Sequence, residues 1–297
     1  MTLRRTSLYI PGNNPGMLLN AAVYGADSIV LDLEDAVSVA EKDAARILVR
    51  NALRSISYRD VEVTVRVNSL STPFGREDFE EIVPLAPSVL RLPKCETADD
   101  VLRAEKLIGE LEEKSGVPAG SVKLIPIIES AFGASNLPEI VRSSPRVAAL
   151  NFGAEDYTAD LGAERTKEGR ELDDIRSRIV AAARIAGIQA LDSVFADVND
   201  SEGLFEEAFR VRRLGFDGKS VIHPRQIAIV HRAFTPSEKE IEYAGRVVAA
   251  IEEAAVRKSG VVALNGRMID APVVAKARKV LALAEAAGVH RIEESRP

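Results

Sequence analysis

Short apolar or β-branched runs alternate along the chain with longer stretches whose apolar residues recur every three or four positions. The short runs predict eight strands: Ser7–Ile10, Ser28–Leu33, Val61–Val67, Val89–Leu92, Val122–Ile128, Val147–Phe152, Ala190–Val194 and Lys219–Ile222. The longer stretches, among them Ala36–Ser55, Ala98–Lys114, Asp173–Ala186 and Leu204–Leu214, predict helices. This alternation implies parallel strands joined by helical crossovers. Eight such units predict an α/β fold, a (β/α)8 TIM barrel, over residues 1–231. An open doubly wound sheet is the competing arrangement. Against it, Pro11–Gly12–Asn13–Asn14 follows the first strand without the G-x-G-x-x-G spacing of a dinucleotide site.

Beyond His231 the pattern changes. Pro236, with Thr235 near its cap, predicts a helix to about Lys258. The apolar run Val261–Leu264 then meets Asn265–Gly266, a turn signal. A last helix follows Asp270–Ala271–Pro272 and runs to about Ala287. Residues 232–297 are therefore expected to form a C-terminal extension that serves as a lid, an oligomer arm, or both.

Composition acts mainly by exclusion. A net charge of −6 over 297 residues argues against a nucleic-acid partner. The single cysteine, Cys95, cannot form an internal disulfide and fits a reducing compartment. Three histidines, His223, His231 and His290, leave little scope for a histidine-rich metal centre. No apolar signal-peptide core opens the chain and no run is long enough to cross a bilayer, so a cytoplasmic protein without membrane contact is expected.

In a parallel barrel the C-terminal strand ends form one rim, where barrel enzymes place their chemistry. Here those ends carry Asp32, Glu34 and Asp35, then Arg66 and Asn68, Lys94, Glu129, Glu155 with Asp156, and His223. Strict alternation in Val61–Val67 turns Thr64 and Arg66 inward. Arg66 then either pairs structurally with Asp32 or Glu34, or clamps a carboxylate or enolate. Glu129 and Asp156 end neighbouring strands, about 4.8 Å apart. They could share one Mg2+, which takes few carboxylates and completes its octahedron with water and substrate oxygens; the alternative is two separate helix caps. Asp35 reads partly as a helix cap, and Glu34 as a residue orienting Arg66 or a metal-bound water. Lys42 and Arg46 read as an exposed i, i+4 pair, and His223 as a buried, hydrogen-bonded structural residue.

Eight stretches in order, SLYIPGNNPGML, DSIVLDLEDAV, VTVRVNS, LRLPK, LIPIIESAFG, ALNFGAEDY, LGFDGKSVIHPRQI and LNGRMIDAPVV, resemble the citrate lyase beta-subunit family, which includes malyl-CoA and citramalyl-CoA lyases. The resemblance implies a TIM barrel with a C-terminal segment exchanged between subunits of a homotrimer or larger ring. It implies Mg2+ on Glu129 and Asp156, and a keto acid or enolate on Arg66. Gly153 and Ala154 would approach substrate through their backbone. Asp270, otherwise a helix N-cap before Pro272, would be a general acid/base delivered by the neighbouring subunit.

The implied reaction is reversible cleavage of a short hydroxyacyl-CoA into an acyl-CoA and a 2-keto acid. A malyl-CoA-type thioesterase, a CoA-independent pyruvate-type aldolase and a subunit of a larger lyase complex are the rivals. In relatives the loop after the first strand often carries a basic residue for CoA phosphates. Asn14–Asn20 carries none, so Arg4, Arg5 and Lys94 become the nearest candidates.

Overall fold

The computed structural model describes residues 2–58, 61–256, 262–264 and 267–289. Eight parallel strands close into a barrel in chain order, with the eighth paired back onto the first. They are β1 (Thr6–Pro11), β2 (Ser28–Asp32), β3 (Glu62–Arg66), β4 (Val89–Leu92), β5 (Lys123–Ile128), β6 (Ala149–Phe152), β7 (Gln189–Asp192) and β8 (Gly218–Val221). Each expected strand is present, with ends displaced by no more than two residues. The helices of this part are α1 (Pro15–Asn20), α2 (Lys42–Ser55), α3 (Gly75–Ile82), α4 (Ala98–Ser115), α5 (Ala131–Ser135), α6 (Leu137–Ile140), α7 (Ala154–Asp160), α8 (Asp173–Ala186), α9 (Ser201–Leu214) and α10 (Pro224–Phe234). Their ends follow local chemistry. For example, Thr97 and Asp100 form a capping box that starts α4, and Gly116, at φ 71°, ends it in the left-handed conformation.

Period-two alternation divides the wall. Leu8, Ile10, Ile29, Leu31, Val65 and Leu90 are fully buried facing outward. The helices meet them with Ala45, Val49, Phe79, Ile82, Ile108, Ile179 and Val211. Each large apolar side chain so buried contributes roughly 1.5–3 kcal/mol. Inside, Val89, Ile125, Ala149 and Leu191 form one apolar cluster. Polar groups share that interior: the wholly buried Arg91 donates to Ser7, Thr64 and Asn151 at 2.8, 3.2 and 2.8 Å.

Two basic residues of α2 correct the sequence reading. Lys42 and Arg46 do share a helix face, but that face is buried. Lys42 Nζ donates to the Leu33 and Glu34 carbonyls at 2.8 and 2.7 Å. Arg46 Nε donates to the buried Asp78 at 2.7 Å. Two carbonyls just past β2 and a buried carboxylate recruit the cations, and a spacing pattern alone does not reveal them.

The chain divides into two compact units, Arg4–His231 and the residues from Arg232 onward together with those before Arg4. In the second unit α11 (Glu238–Val256) precedes an antiparallel pair, β9 (Val262–Leu264) and β10 (Arg267–Ile269), and then α12 (Ala271–Ala286). Ala244 and Val247 of α11 share an apolar core with Ile269, Val274 and Ala277. The first of these helices starts two residues later than Pro236 suggests, because Ser237 and Glu240 cap each other reciprocally. Lys258, Val261 and Asn265–Gly266 lie outside the described residues. Among the described residues no helix is long and apolar enough to cross a membrane.

A buried charge cluster ties the outer face of β7 and β8 to α8 and α9. Lys219 Nζ donates to Asp192, Glu207 and the Ser193 carbonyl at 2.7, 2.7 and 2.8 Å. Arg176 Nε donates to Asp192 at 2.9 Å and its Nη2 lies 3.2 Å from Glu207. Despite burial, Lys219 and Arg176 hold the Glu207 carboxyl far below its usual range. A carboxyl lowered on folding adds stability above its unfolded value of about 4.5, which is lost as pH falls below that value. Lys219→Met should leave two buried carboxylates short of a cation and cost about 3–5 kcal/mol in urea unfolding at pH 7. A loss below about 1 kcal/mol would mean that the cluster does not hold these four elements.

Candidate active site

The register of the barrel brings the rim together. Asp32 lies beside Arg66 across β2 and β3, and Arg66 beside Arg91 across β3 and β4. Arg66 is bidentate on Asp32, at 2.7 Å through Nε and 2.6 Å through Nη2. Its Nη1 lies 3.0 Å from Glu34 and 3.7 Å from Asp35. The ion-pair reading of Arg66 is therefore realised with both acids. Despite burial, Asp32 first, then Tyr9 and Glu34, hold its proton far more tightly than usual.

Lys94 follows β4 at φ 51°, a left-handed conformation that costs energy for a residue with a Cβ. That conformation lets one residue do two things. Its backbone N–H donates to Glu129 Oε2 at 2.7 Å. Its ammonium lies 3.2 Å from Glu34, 3.2 Å from Asp156 and 3.7 Å from Asp35. Partial burial opposes the Lys94 charge, but these acids and Glu129 outweigh it and hold the proton above the ordinary range.

Glu129, just past β5, is 6% exposed. Burial pushes its carboxyl up to about 8, and the charges of Glu34 and Asp156 add to the rise. Burial also raises Glu34, against the pull of Arg66. Asp35, although partly buried, is held low by a hydrogen bond with Glu34 and by Arg66 and Lys94. Neither Glu129 nor Asp35 is a helix cap. Ser130 caps α5 by accepting from Gly133 N, and α2 begins only at Lys42. Asp156 sits in the first turn of α7, one residue from Glu155. Gly153, at the start of that helix, carries no side chain for a steric reason: a Cβ there would lie 2.5 Å from Glu129 Cγ and 2.7 Å from its Oε1.

These groups border a cavity of about 230 Å³ lined by Tyr9, Arg66, Glu129, Gly153, Ala154 and Asp156, with Asn151, Ser193 and Ser220 deeper on the inner wall. Among the described residues no three acidic, histidine or cysteine side chains form a metal cluster on their own. Two carboxylates, one of them raised by burial and by neighbouring acids, suit a hard divalent ion that keeps water and substrate oxygens in its shell.

Arg4 does not belong here. It precedes β1, at the N-terminal mouth of the barrel, where it pairs with Glu62 at the start of β3 at 2.6 Å and with Gln189 at the start of β7. Arg5 is held there too, by Asp27 at 2.8 Å. Parallel strands put the first and last residues of each strand at opposite mouths, so proximity to β1 in sequence is the wrong guide. His223 lies past β8, half-buried, and accepts from Arg225 N at 3.1 Å; this is a local turn contact and not a buried structural site. Asp270 belongs to the second unit, where it is exposed and caps α12 by accepting from Val273 N at 3.1 Å. Tyr9 and the inner serines were missed, although inward alternation through Ser7 and Tyr9 marks them.

Residues 5–224 match the HpcH/HpaI aldolase/citrate lyase family. The chain is 48% identical to the citrate lyase subunit beta of Leuconostoc mesenteroides subsp. cremoris over 96% of this chain and 94% of that protein. It is 35% identical to the human mitochondrial citramalyl-CoA lyase, over 95% of this chain and 85% of that one. Its structure resembles that of the protein CitE from Mycobacterium tuberculosis in complex with magnesium, acetoacetate and coenzyme A. The TM-score is 0.78 at 33% identity, covering 95% of this chain and 98% of that one. With its family pattern spanning the barrel from Arg5 to Pro224, the chain belongs to the HpcH/HpaI aldolase/citrate lyase family.

Proposed function

We propose that this protein is a Mg2+-dependent carbon–carbon lyase that reversibly cleaves a short hydroxyacyl-CoA into an acyl-CoA and a 2-keto acid. The observation that carries the reading is one cavity at the strand ends that holds both Arg66 and the Glu129–Asp156 carboxylates. The citrate lyase subunit and the citramalyl-CoA lyase among its relatives support the reaction class. The CitE structure with magnesium and coenzyme A supports the metal and the thioester.

Glu129 and Asp156 would hold Mg2+. When bound, the ion supplies Lewis acidity toward the oxygens of the keto-acid half. The residues of the chain do the rest. Arg66, fixed by Asp32 and Glu34, presents a rigid guanidinium to the oxygen that becomes negative when the carbon–carbon electron pair passes to the thioester fragment. Glu34 orients Arg66 and Lys94. Gly153 and Ala154 bring backbone close to the substrate. Asp270, delivered by a neighbouring subunit, protonates the enolate carbon in cleavage and deprotonates it in condensation.

The family resemblance supports a homotrimer or larger ring, and the single cysteine supports a reducing, cytoplasmic compartment. Because the Leuconostoc relative is named a subunit, assembly into a larger lyase complex is the second reading. Lys94 is the one rim cation left for CoA phosphates among those considered, and its ammonium already lies among carboxylates.

Asp270→Asn should lower turnover by roughly 10²–10⁴-fold while Mg2+ and keto-acid affinities stay within about twofold of wild type. Normal turnover in this variant would remove the assignment. Because the metal-free Glu129 carboxyl lies at about 8, folding disfavours its charged form, and metal-free stability should fall as pH rises from about 4.5 to about 8. Mg2+ must displace that proton. Its affinity, read by calorimetry in buffers of different ionisation enthalpy, should therefore rise roughly tenfold per pH unit up to about 8, with proton release. Binding that is flat between pH 6 and pH 8 would exclude Glu129 as a ligand.

A further inference from the structure

Beneath the rim, Tyr9 is held between two arginines. The Arg66 guanidinium carbon lies 5.1 Å from its ring centroid and that of Arg91 lies 5.7 Å away. Tyr9 lines the cavity, whereas Arg91 is wholly buried. The register fixes the depth. Pro11, Asp32 and Arg66 lie side by side, and Tyr9, Val30 and Thr64 form the row one inward-facing step below them. Arg91 has no carboxylate within 4 Å among the described residues; its nitrogens are met by Ser7, Thr64 and Asn151. It is a buried cation without a paired anion, set against the Tyr9 ring that lines the cavity.

A guanidinium only donates hydrogen bonds. Both charged neighbours of Tyr9 can therefore face its ring or its oxygen, and neither can accept its proton. Among the described residues no acceptor takes the Tyr9 O–H. A phenol beside two cations and with its proton free is a strong donor to an anionic oxygen. An acyl-CoA must leave its long tail through the open mouth, so the short keto-acid half occupies the inner end.

We propose that Tyr9 contacts substrate directly, donating from its hydroxyl to an anionic oxygen of the keto-acid half, and that Arg91 is its positioning residue. This rests on the lyase reading and extends it to a residue outside the metal and the Arg66 clamp. Arg91 orients the phenol and adds an uncompensated positive charge below it, so the inner end of the cavity selects an anionic fragment over a neutral one.

The test is calorimetric titration of the Mg2+-loaded protein with oxaloacetate, comparing wild type with Tyr9→Phe. Phenylalanine keeps the ring and both cation contacts and removes only the donor. Mg2+ affinity should be unchanged, and oxaloacetate affinity should fall roughly ten- to hundredfold. Equal oxaloacetate affinity in the two proteins would overturn the Tyr9 assignment and leave the lyase reading standing. A wild type that binds no keto acid with Mg2+ present would overturn both. The positioning role is read by a double-mutant cycle: Arg91→Lys should weaken oxaloacetate binding beside Tyr9 and add nothing beside Phe. Independent, additive effects would remove Arg91 from the mechanism.

Discussion

Crowding of negative charge at one mouth of the barrel is the constraint on which the rest of the site depends. Asp32, Glu34, Asp35, Glu129 and Asp156 converge there, and Arg66 and Lys94 reach in among them. Like charges at this spacing in a partly dry cavity repel strongly. The surroundings are arranged around that repulsion. Arg66 absorbs Asp32 completely in a bidentate pair, Lys94 adopts a strained backbone to serve Glu129 and Asp156 at once, and Lys42 pins the carbonyls of the acidic loop from behind. Burial, reinforced by the acid charges that Arg66 and Lys94 leave unbalanced, raises the carboxyls of Glu34 and Glu129. Such a site takes up a proton or a divalent cation, and which it holds depends on pH.

Much of this was legible in the sequence because strands encode two faces with a period of two. The inward direction of Arg66, the pairing open to it with Asp32 and Glu34, and the nearness of the strand-five and strand-six ends all follow from alternation and strand order. Arg4, Lys42 and Arg46 depart from the sequence expectation for one reason: neighbours along the chain say nothing of their partners, Glu62, the carbonyls just past β2 and Asp78, which come from other elements. Periodicity reports which side a residue takes. It does not report what waits there. Asp270 marks the other limit: its own unit accounts for it fully as a helix cap, and only family resemblance gives it a chemical role.

The mixed barrel interior separates this fold from barrels whose centre is filled by branched aliphatic layers alone. An apolar cluster of Val89, Ile125, Ala149 and Leu191 shares that space with polar groups. Next to it Arg91 is fully satisfied by neutral oxygens, which meet its hydrogen-bonding needs without cancelling its charge. Burial lowers its affinity for its proton, yet a guanidinium remains charged under any ordinary condition. A permanent charge that no ligand can reach acts on the cavity through its field and through the side chains it touches.

The alternation in β7 and β8 has an evolutionary consequence. Asp192 and Lys219 face outward into the cluster that binds wall to helices, while their immediate successors, Ser193 and Ser220, face the cavity. Residues that support the fold and residues that shape the ligand space are thus interleaved one by one along the same strands, on opposite sides of a single layer of backbone. A lineage can exchange the small inner serines for bulkier or differently polar groups and so drift toward new acyl chains, without disturbing the ionic framework behind them. Specificity and durability can then vary on separate clocks, although the positions that set them are adjacent in the gene.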